Sequence, residues 1–290
     1  MERVLVGIDR EAASQTAVDW VIERAKHSPL QVKLVTTFDM LVSDPTVDQD
    51  LLAATAKRIA ESSPGTEVET ELADQSILEG LIERSADADL LVIGSHPHRK
   101  VRSILTGALP SALVARAHCA TVVVPDDWRP GGRRIVLGVA DDDSSDTATR
   151  FAAREAVTAG TTLDAVHAWR LPQPSMDAVS SLIVGPEELE AIHQELLQRV
   201  IDRLGDAASG VEVRGVLRHG DPAIQLDDVL ADTRLLVLGT HGRGPALGAL
   251  LGSKVQHMLH HGGVPVAVVP LGRGTFDSAP AVPAAARSDV

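Results

Sequence analysis

The residues best suited to chemistry lie in a glycine-rich stretch near the end of the chain. An apolar run leads into Gly239-Thr240-His241-Gly242, nine residues follow, and Gly252-Ser253 closes the stretch. Glycines allow unusual φ values and let the backbone come within hydrogen-bond range of phosphate oxygens. A helix that begins at Ser253 would add free N–H groups, the positive end of its dipole and a hydroxyl donor. The spacing therefore predicts a phosphate-binding loop, with Arg243 and Lys254 supplying positive charge.

A purely structural interpretation of the same stretch is a glycine-rich turn that tightens a strand-to-helix connection. Two familiar phosphate motifs do not fit it. Residues Gly248 to Lys254 have the wrong spacing for a Walker loop, and the serine precedes the lysine. The dinucleotide-binding fingerprint does not fit either.

Three adjacent acids, Asp141 to Asp143, follow an apolar run earlier in the same half of the chain. They could coordinate Mg²⁺ beside a triphosphate, because hard cations prefer oxygen ligands. A charged turn or a helix cap explains them equally well. The sequence has no Gly-x-Ser-x-Gly elbow, no cysteine pair and no His-Glu-x-x-His motif. We therefore expect that the protein is not an enzyme, with at most slow and incidental ATP hydrolysis. We also expect His193, a lone histidine on a helix, to face solvent.

An internal repeat places these residues on a duplicated framework. Residues 3–9 match 134–140, residues 89–96 match 234–241, and Val122-Val123-Val124-Pro125 matches Ala267-Val268-Val269-Pro270. The offset grows from 131 to 145, so the second copy carries 14 extra residues. We place them between Leu171 and Glu190, after the second strand and before the second helix of that copy.

Each copy alternates short apolar runs with amphipathic stretches, which is typical of strands buried on both faces of a parallel sheet and of the helices that cover it. In the first copy we expect helices from Ser14, as the cap, to Arg24, from Leu51 to Ala60 and from Ile77 to Ser85. This order predicts a doubly wound α/β sheet with ligands at the carboxyl ends of its strands. The predicted domains are 1–128 and 132–271, and residues 272–290 form a predicted disordered tail.

The composition of the chain limits the classes of partner that it can bind. A net charge of −13, a pI near 5.2 and 2% aromatic residues disfavour binding to DNA, RNA or single-stranded nucleic acid. No apolar run has the length of a membrane helix, and the N-terminus lacks the zones of a secretion signal, so we expect a cytoplasmic protein. The single cysteine, Cys119, adjoins a Val-rich run and is predicted to be a small buried hydrophobic residue.

From Val4 to Pro270 the sequence resembles the tandem, two-domain form of the universal stress protein family. The resemblance rests on Gly239, Gly242 and Gly252 with Ser253, on Asp9 at a strand end, on Gly220-Asp221-Pro222 and on the closing Val-Val-Pro runs. It implies a Rossmann-like, five-stranded parallel sheet in each domain and ATP or AMP at the strand ends. It also implies dimerisation through the last strand, either as a homodimer or by pairing of the two copies within the chain.

The resemblance also implies a site in the second copy. Phosphates would lie on Gly242, Gly252 and Ser253, with His241 nearby, Gly239 supporting the ribose, and adenine against Val139 and Ala168. The strand-end aspartate of the family is replaced by Ala140, although Asp141 follows at once. The full predicted set is Val139, Ala140, Asp141, Ala168, Leu238, Gly239, His241, Gly242, Arg243, Gly252, Ser253, Lys254 and Val255.

The first copy departs from the family pattern in its loop. It keeps Asp9, but Pro97 follows Gly94-Ser95-His96 and removes a backbone donor, Gly107-Ala108 lacks the hydroxyl, and Gln75 stands where the second copy has Gly220. The basic residues 96–100 form either a solvated surface loop or a side-chain anion site. The corresponding site residues are Ile8, Asp9, Gly94, His96 and Gly107.

Three functions remain open on this basis. The first is a non-catalytic nucleotide-binding protein of stress response or dormancy-type regulation, which acts through a conformational or oligomeric change. The second is a nucleotide-free interaction module that docks a partner through the Leu171 to Glu190 segment. The third is a weak ATPase.

Overall fold

The computed structural model describes residues 1–37, 45–96, 108–140, 145–171, 185–240, 252–261 and 263–271. The first half of the chain forms β1 (Glu2–Gly7), α1 (Ala12–Ala25), β2 (Leu30–Thr37), α2 (Pro45–Ser62), β3 (Glu67–Ala73), α3 (Ile77–Arg84), β4 (Leu90–Ser95), α4 (Ala108–Arg116) and β5 (Ala120–Pro125). The second half forms β6 (Arg134–Val139), α5 (Ser145–Ala159), β7 (Thr162–Trp169), α6 (Pro186–Ala207), β8 (Val213–His219), α7 (Pro222–Asp227), β9 (Thr233–Gly239), α8 (Ser253–His261) and β10 (Val266–Val269).

The strands form one sheet in the order β3-β2-β1-β4-β5-β10-β9-β6-β7-β8. All the strand pairs within each half are parallel, and each half repeats the same internal order. The expected tandem, doubly wound α/β architecture with five parallel strands per domain is therefore confirmed.

The two halves meet at their last strands. β5 and β10 run antiparallel, with Val266 opposite Val123, Ala267 opposite Val122 and Val268 opposite Thr121. The pairing implied by the family resemblance thus occurs within the chain. Because equivalent strands pair in opposite directions, a pseudo-twofold axis passes between the two copies.

Two apolar cores cover the two faces of the sheet, and each draws residues from both halves. Val6, Trp20 and Val122 share one core with Leu137 and Phe151. On the other face, the α3 and α4 side chains of the first half join a core that also contains α8 of the second half. The strands are apolar on both faces because helices cover both faces.

Helix boundaries differ in part from those expected. α1 begins at Ala12 with Glu11 as the preceding residue, and the Ser14 hydroxyl instead donates to the carbonyls of Asp9 at 2.7 Å and Glu11 at 3.1 Å. The prediction that Ser14 caps the helix is wrong, because Ser14 lies inside its first turn. α2 is longer than the expected Leu51 to Ala60 and spans Pro45–Ser62. α3 lies where the sequence places it, and Ser76 caps it by accepting from the Glu79 amide at 3.3 Å.

The extra residues of the second copy do not all lie before its second helix. Residues 186–190 belong to α6, which has 22 residues where its counterpart α2 has 18. Part of the insertion therefore lengthens a helix. Residues 172–184, which belong to the predicted insertion, lie outside the described residues, as does the predicted tail 272–290.

Cys119 is buried, as the sequence predicts. Burial raises the pKa of its thiol to about 12, with a further contribution from the Asp89 carboxylate. Within the described ranges, no helix has both the length and the apolar character needed to cross a bilayer.

Candidate functional site

The carboxyl ends of β6, β7 and β9 open into a cleft in the second half. Helices α7 and α8 form its two walls. The cleft is narrow, with a cavity volume of ≈ 30 Å³, and is lined by Gly138, Val139, Ala140, Val166, Ala168, Pro222, Leu226, Leu238, Gly239, Lys254 and Val255. This is where a doubly wound sheet places a ligand.

Seven of the residues predicted for this site line the cleft together: Val139, Ala140, Ala168, Leu238, Gly239, Lys254 and Val255. Gly252 and Ser253 lie at the start of the α8 wall, although they are not among the lining residues. Asp141, His241, Gly242 and Arg243 lie outside the described residues. The structure thus brings the apolar part of the predicted site together.

The α7 wall contains residues that the sequence analysis did not assign to the site. Pro222 and Leu226 face the cleft, and Gly138 and Val166 complete its floor. Pro222 occupies the first turn of α7, and the Asp221 carboxylate accepts from the Ala223 amide at 3.0 Å. The Gly220-Asp221-Pro222 motif was the available signal for this wall, because it marks a helix start at a strand end.

Gly220 gives this motif its shape. Its φ is +143°, a conformation that L residues rarely adopt, and its amide donates to the Trp169 carbonyl at 2.8 Å. The turn therefore ties the end of β8 to the end of β7. In the first half, Gln75 lies at the equivalent turn and its side-chain amide donates to Glu83 at 3.1 Å.

The α8 wall begins at Ser253, as the glycine-rich stretch predicts. Lys254 is partly buried and Val255 is buried, so one turn presents both a cation and an apolar surface to the cleft. One turn further on, the His257 ring nitrogen Nε2 lies 2.7 Å from the Asp227 carboxylate at the end of α7. This contact braces the two walls against each other.

One amide of the glycine-rich stretch is used within the protein. The Thr240 N–H donates to the Val269 carbonyl at 3.0 Å, and the Thr240 hydroxyl accepts from the Leu271 amide at 3.2 Å. The Thr240 amide therefore secures the end of β9 to β10 and is not free to bind a phosphate. The predicted phosphate residues begin two positions later.

Two histidines, His167 and His193, lie next to the strand end that lines the cleft at Val139. His167 is buried, its Nδ1 lies 3.0 Å from the Val139 carbonyl, and its Nε2 lies 2.8 Å from Nδ1 of His193. Because a carbonyl only accepts, His167 Nδ1 carries a proton and donates to the Val139 carbonyl. The expectation that His193 faces solvent is wrong. Its ring also stacks on Trp169, because α6 packs over the end of β7.

The first half uses its equivalent residues differently. Ile8 is buried, and the Asp9 carboxylate accepts from the Glu11 amide at 2.9 Å. A Cβ on Gly94 would lie 2.2 Å from the Ala13 carbonyl oxygen, so this glycine permits close packing of α1 on β4. His96 contacts Asp126 at 2.6 Å, and its other ring nitrogen lies 3.8 Å from Glu11.

These contacts favour packing over anion binding in the first half. His96 faces carboxylates, and Leu109 stands where the second half has Lys254. The remainder of the basic stretch, residues 97–100, and Gly107 lie outside the described residues.

Among the described residues, no three histidine, cysteine or acidic side chains are arranged to hold a metal ion. The candidate Mg²⁺ ligands Asp141, Asp142 and Asp143 lie outside those residues.

Comparisons with known proteins agree with the geometry. The model of the universal stress protein family matches residues 1–125 and again 132–270. A universal stress protein of Mycobacterium tuberculosis is 29% identical over 289 residues, which covers 91% of this chain and 96% of the relative. A second one from that species is 26% identical and covers 97% of each chain. The crystal structure of a universal stress protein from Archaeoglobus fulgidus has a TM-score of 0.69 at 17% identity and covers 93% of this chain and 98% of its own.

Proposed function

Because the chain belongs to the universal stress protein family, we propose that it binds an adenine nucleotide, ATP or AMP, in the cleft of its second half. The observation that carries this proposal is the cleft itself, where seven of the predicted site residues converge between α7 and α8.

The chemistry of the floor suits a purine ring. Val139, Ala168 and Leu238 are each at least nine-tenths buried and offer apolar atoms at the strand ends. The alanines at positions 140 and 168 are small and leave the space open.

The chemistry of the α8 wall suits phosphate. Lys254 places an ammonium group in the first turn of a helix of nine residues, where the backbone N–H groups and the dipole also favour an anion. The overall charge of −13 would repel a polyphosphate, so a local cation matters. Gly242 and Gly252 complete the phosphate site in this proposal.

We propose that the protein does not use the nucleotide as an enzyme would. It acts in the cytoplasm by adopting different populations of states with and without nucleotide, as part of stress or dormancy-type regulation. The His257 to Asp227 contact gives the two walls a means of moving together when the cleft fills. Mg²⁺ would enter with the triphosphate and meet Asp141 to Asp143.

One alternative has a specific observation in its favour. In α6, Ile192 is 50% exposed beside the inserted segment, and Leu171 is 41% exposed at its start. These apolar side chains suit a nucleotide-free module that docks a protein partner.

The test combines nucleotide release with thermal melts. Purified protein is heat-denatured and the released nucleotide identified, and the melting midpoint is then measured with and without ATP or AMP. At about 100 times Kd, ATP should stabilise the protein by roughly 2.7 kcal/mol. Ala168→Leu fills the floor of the cleft and should abolish this response.

Thr37→Leu is the matched control, because Thr37 is the equivalent residue of the first half. It should leave the ATP response intact. A melt indifferent to ATP, with no nucleotide released, would instead favour the interaction module. If Thr37→Leu abolished the response and Ala168→Leu retained it, the site would belong to the first half.

A further inference from the structure

Helices α1 and α5 occupy equivalent places in the two halves and pack into the same apolar core. A shift of 131 residues places Ala17 on Ala148 and Trp20 on Phe151, and all four side chains are buried. The apolar positions of the two helices have therefore kept their character.

The charged positions of the same stretch have reversed their sign. At each of three positions one helix has an acid where the other has a base: Asp19 against Arg150, Glu23 against Arg154, and Arg24 against Glu155. On either side of this segment the two copies differ without a reversal, with Gln15 against Asp146 and Lys26 against Val157. Within the two helices, the reversal is confined to residues 19–24 and 150–155, and two of its first-half members, Glu23 and Arg24, contact the second half.

The last of these positions meets its own counterpart. The Arg24 guanidinium donates to the two carboxylate oxygens of Glu155 at 2.5 and 2.7 Å, and both side chains are at least nine-tenths buried. Because residue 155 is the equivalent of residue 24, this pair lies on the pseudo-twofold axis that also relates β5 to β10. Equivalent positions of the two copies thus meet across the axis, with a positive side chain on one side and a negative one on the other.

The surroundings hold both charges in place. Glu2 accepts from Arg24 at 2.8 and 3.0 Å, and Arg154 lies 3.7 Å from Glu2 and 3.9 Å from Glu155. Burial lowers the pKa of Arg24, but the carboxylates of Glu155 and Glu2 outweigh it and raise this pKa well above the ordinary value. The Arg24 guanidinium also lies over the Trp20 ring, 5.4 Å from its centre.

The same geometry penalises any symmetric pairing. Two first halves joined through this surface would place Arg24 against a second Arg24, and two second halves would place Glu155 against a second Glu155. Each side chain would keep its neighbour in its own half, Glu2 for Arg24 and Arg154 for Glu155, but would lose the oppositely charged partner across the axis and face a buried like charge instead, which is unfavourable. The β5 to β10 contact itself offers little discrimination, because both strands present small and apolar residues there.

We propose that this charge reversal makes the last-strand surface of the first half specific for the second half. The two halves of one chain therefore pair with each other through this surface. A partner for either half must present the opposite charge on the axis, and a second intact copy of the chain does not displace the internal pairing. This inference is independent of nucleotide binding.

The experiment uses the full chain with charge reversals on the axis. The chains are Arg24→Glu, Glu155→Arg and the two changes together, and each carries Glu2→Gln because the Glu2 carboxylate would repel a glutamate at position 24. Thermal midpoints are measured, and mass is measured by light scattering after gel filtration. Arg58→Glu is the control, because it reverses an exposed charge paired with Asp19 inside the first half.

Each single reversal should lower the midpoint by roughly 10 °C relative to the Glu2→Gln parent. The doubly reversed chain should recover most of that loss, since the axis relates the two positions. Arg58→Glu should change neither midpoint nor mass. An equimolar mixture of the two single variants, refolded together, should form a species of twice the mass, because each half then finds an opposite charge in the other chain.

Two results would overturn the proposal. One is a doubly reversed chain no more stable than the weaker single variant, and the other is a single variant that dimerises alone as readily as the mixture does. If the single variants do not fold alone, the doubly reversed chain and the refolded mixture still decide, because each contains complementary pairs.

Discussion

Replacing Gly94 by alanine should destabilise the first half severely, although the change adds one methyl group. The added Cβ would lie 2.2 Å from the Ala13 carbonyl oxygen and 2.3 Å from its carbon. Both are backbone atoms in the first turn of α1, so no side chain can rotate away. Relief requires the start of α1 to move from β4 by about 1 Å, which corresponds to a cost of about 3 kcal/mol or more for overpacking.

The shift would not remain local. α1 also contains Trp20 and Arg24, which form the core and the buried ion pair with the second half. At roughly 2 to 4 °C per kcal/mol for a chain of this size, the midpoint should fall by roughly 6 to 12 °C. Thermal denaturation followed by circular dichroism measures this directly.

Gly65→Ala is the matched control. A Cβ at Gly65 meets no atom within 4 Å, so the midpoint should stay unchanged or rise slightly as the unfolded chain loses freedom. If Gly94→Ala and Gly65→Ala melted at the same temperature, close packing of α1 on β4 would not explain the glycine at position 94. Gly94 would then need a functional explanation, and a nucleotide site in the first half would regain support.

Two further outcomes follow from buried groups. Burial raises the pKa of the Cys119 thiol to about 12, so this thiol should resist alkylation by iodoacetamide at pH 8 in the native protein and react once urea unfolds it. Mass spectrometry measures the labelling. Rapid labelling of the native protein would contradict the burial of Cys119. Burial raises the pKa of Glu2, but Arg24 and then Arg154 lower it further than burial raises it, so the pKa of this carboxyl lies below the ordinary glutamate value of 4.5. A carboxyl whose folded pKa is depressed stabilises the protein fully above its unfolded pKa and loses that contribution as the pH falls. Urea denaturation should therefore show a loss of unfolding free energy below pH 4.5 that is smaller in Glu2→Gln, and identical pH profiles would contradict the assignment.

The framework could be predicted because its signals are local. Runs such as Leu90 to Ile93 are apolar at every position, which predicts strands covered on both faces, and the repeat of these runs predicts two equivalent sheets. The start of α8 at Ser253 followed from a glycine and a hydroxyl residue after an apolar run. Such features depend on residues within one or two turns of each other.

Other features depend on contacts between distant residues. Nothing near Gly94 in the sequence indicates that Ala13 lies against it, and nothing near His193 indicates that His167 and Trp169 cover it. The Gly220-Asp221-Pro222 motif indicates where a helix starts, but nothing in the sequence indicates that Pro222 and Leu226 face the cleft. The buried Arg24 to Glu155 pair joins residues 131 positions apart, and each alone looks like a charge on a helix surface.

The antiparallel junction of β5 and β10 also orients the molecule. All strands of the first half point one way and all strands of the second half point the other, so their carboxyl ends lie on opposite rims of the ten-stranded sheet. The cleft beside α7 opens on one rim of the sheet. The corresponding strand ends of the first half lie on the opposite rim. Any coupling between the two rims would have to cross the central junction, where β5 pairs with β10 and Arg24 with Glu155. A partner that binds at the rim of the cleft would not need to contact the corresponding rim of the first half.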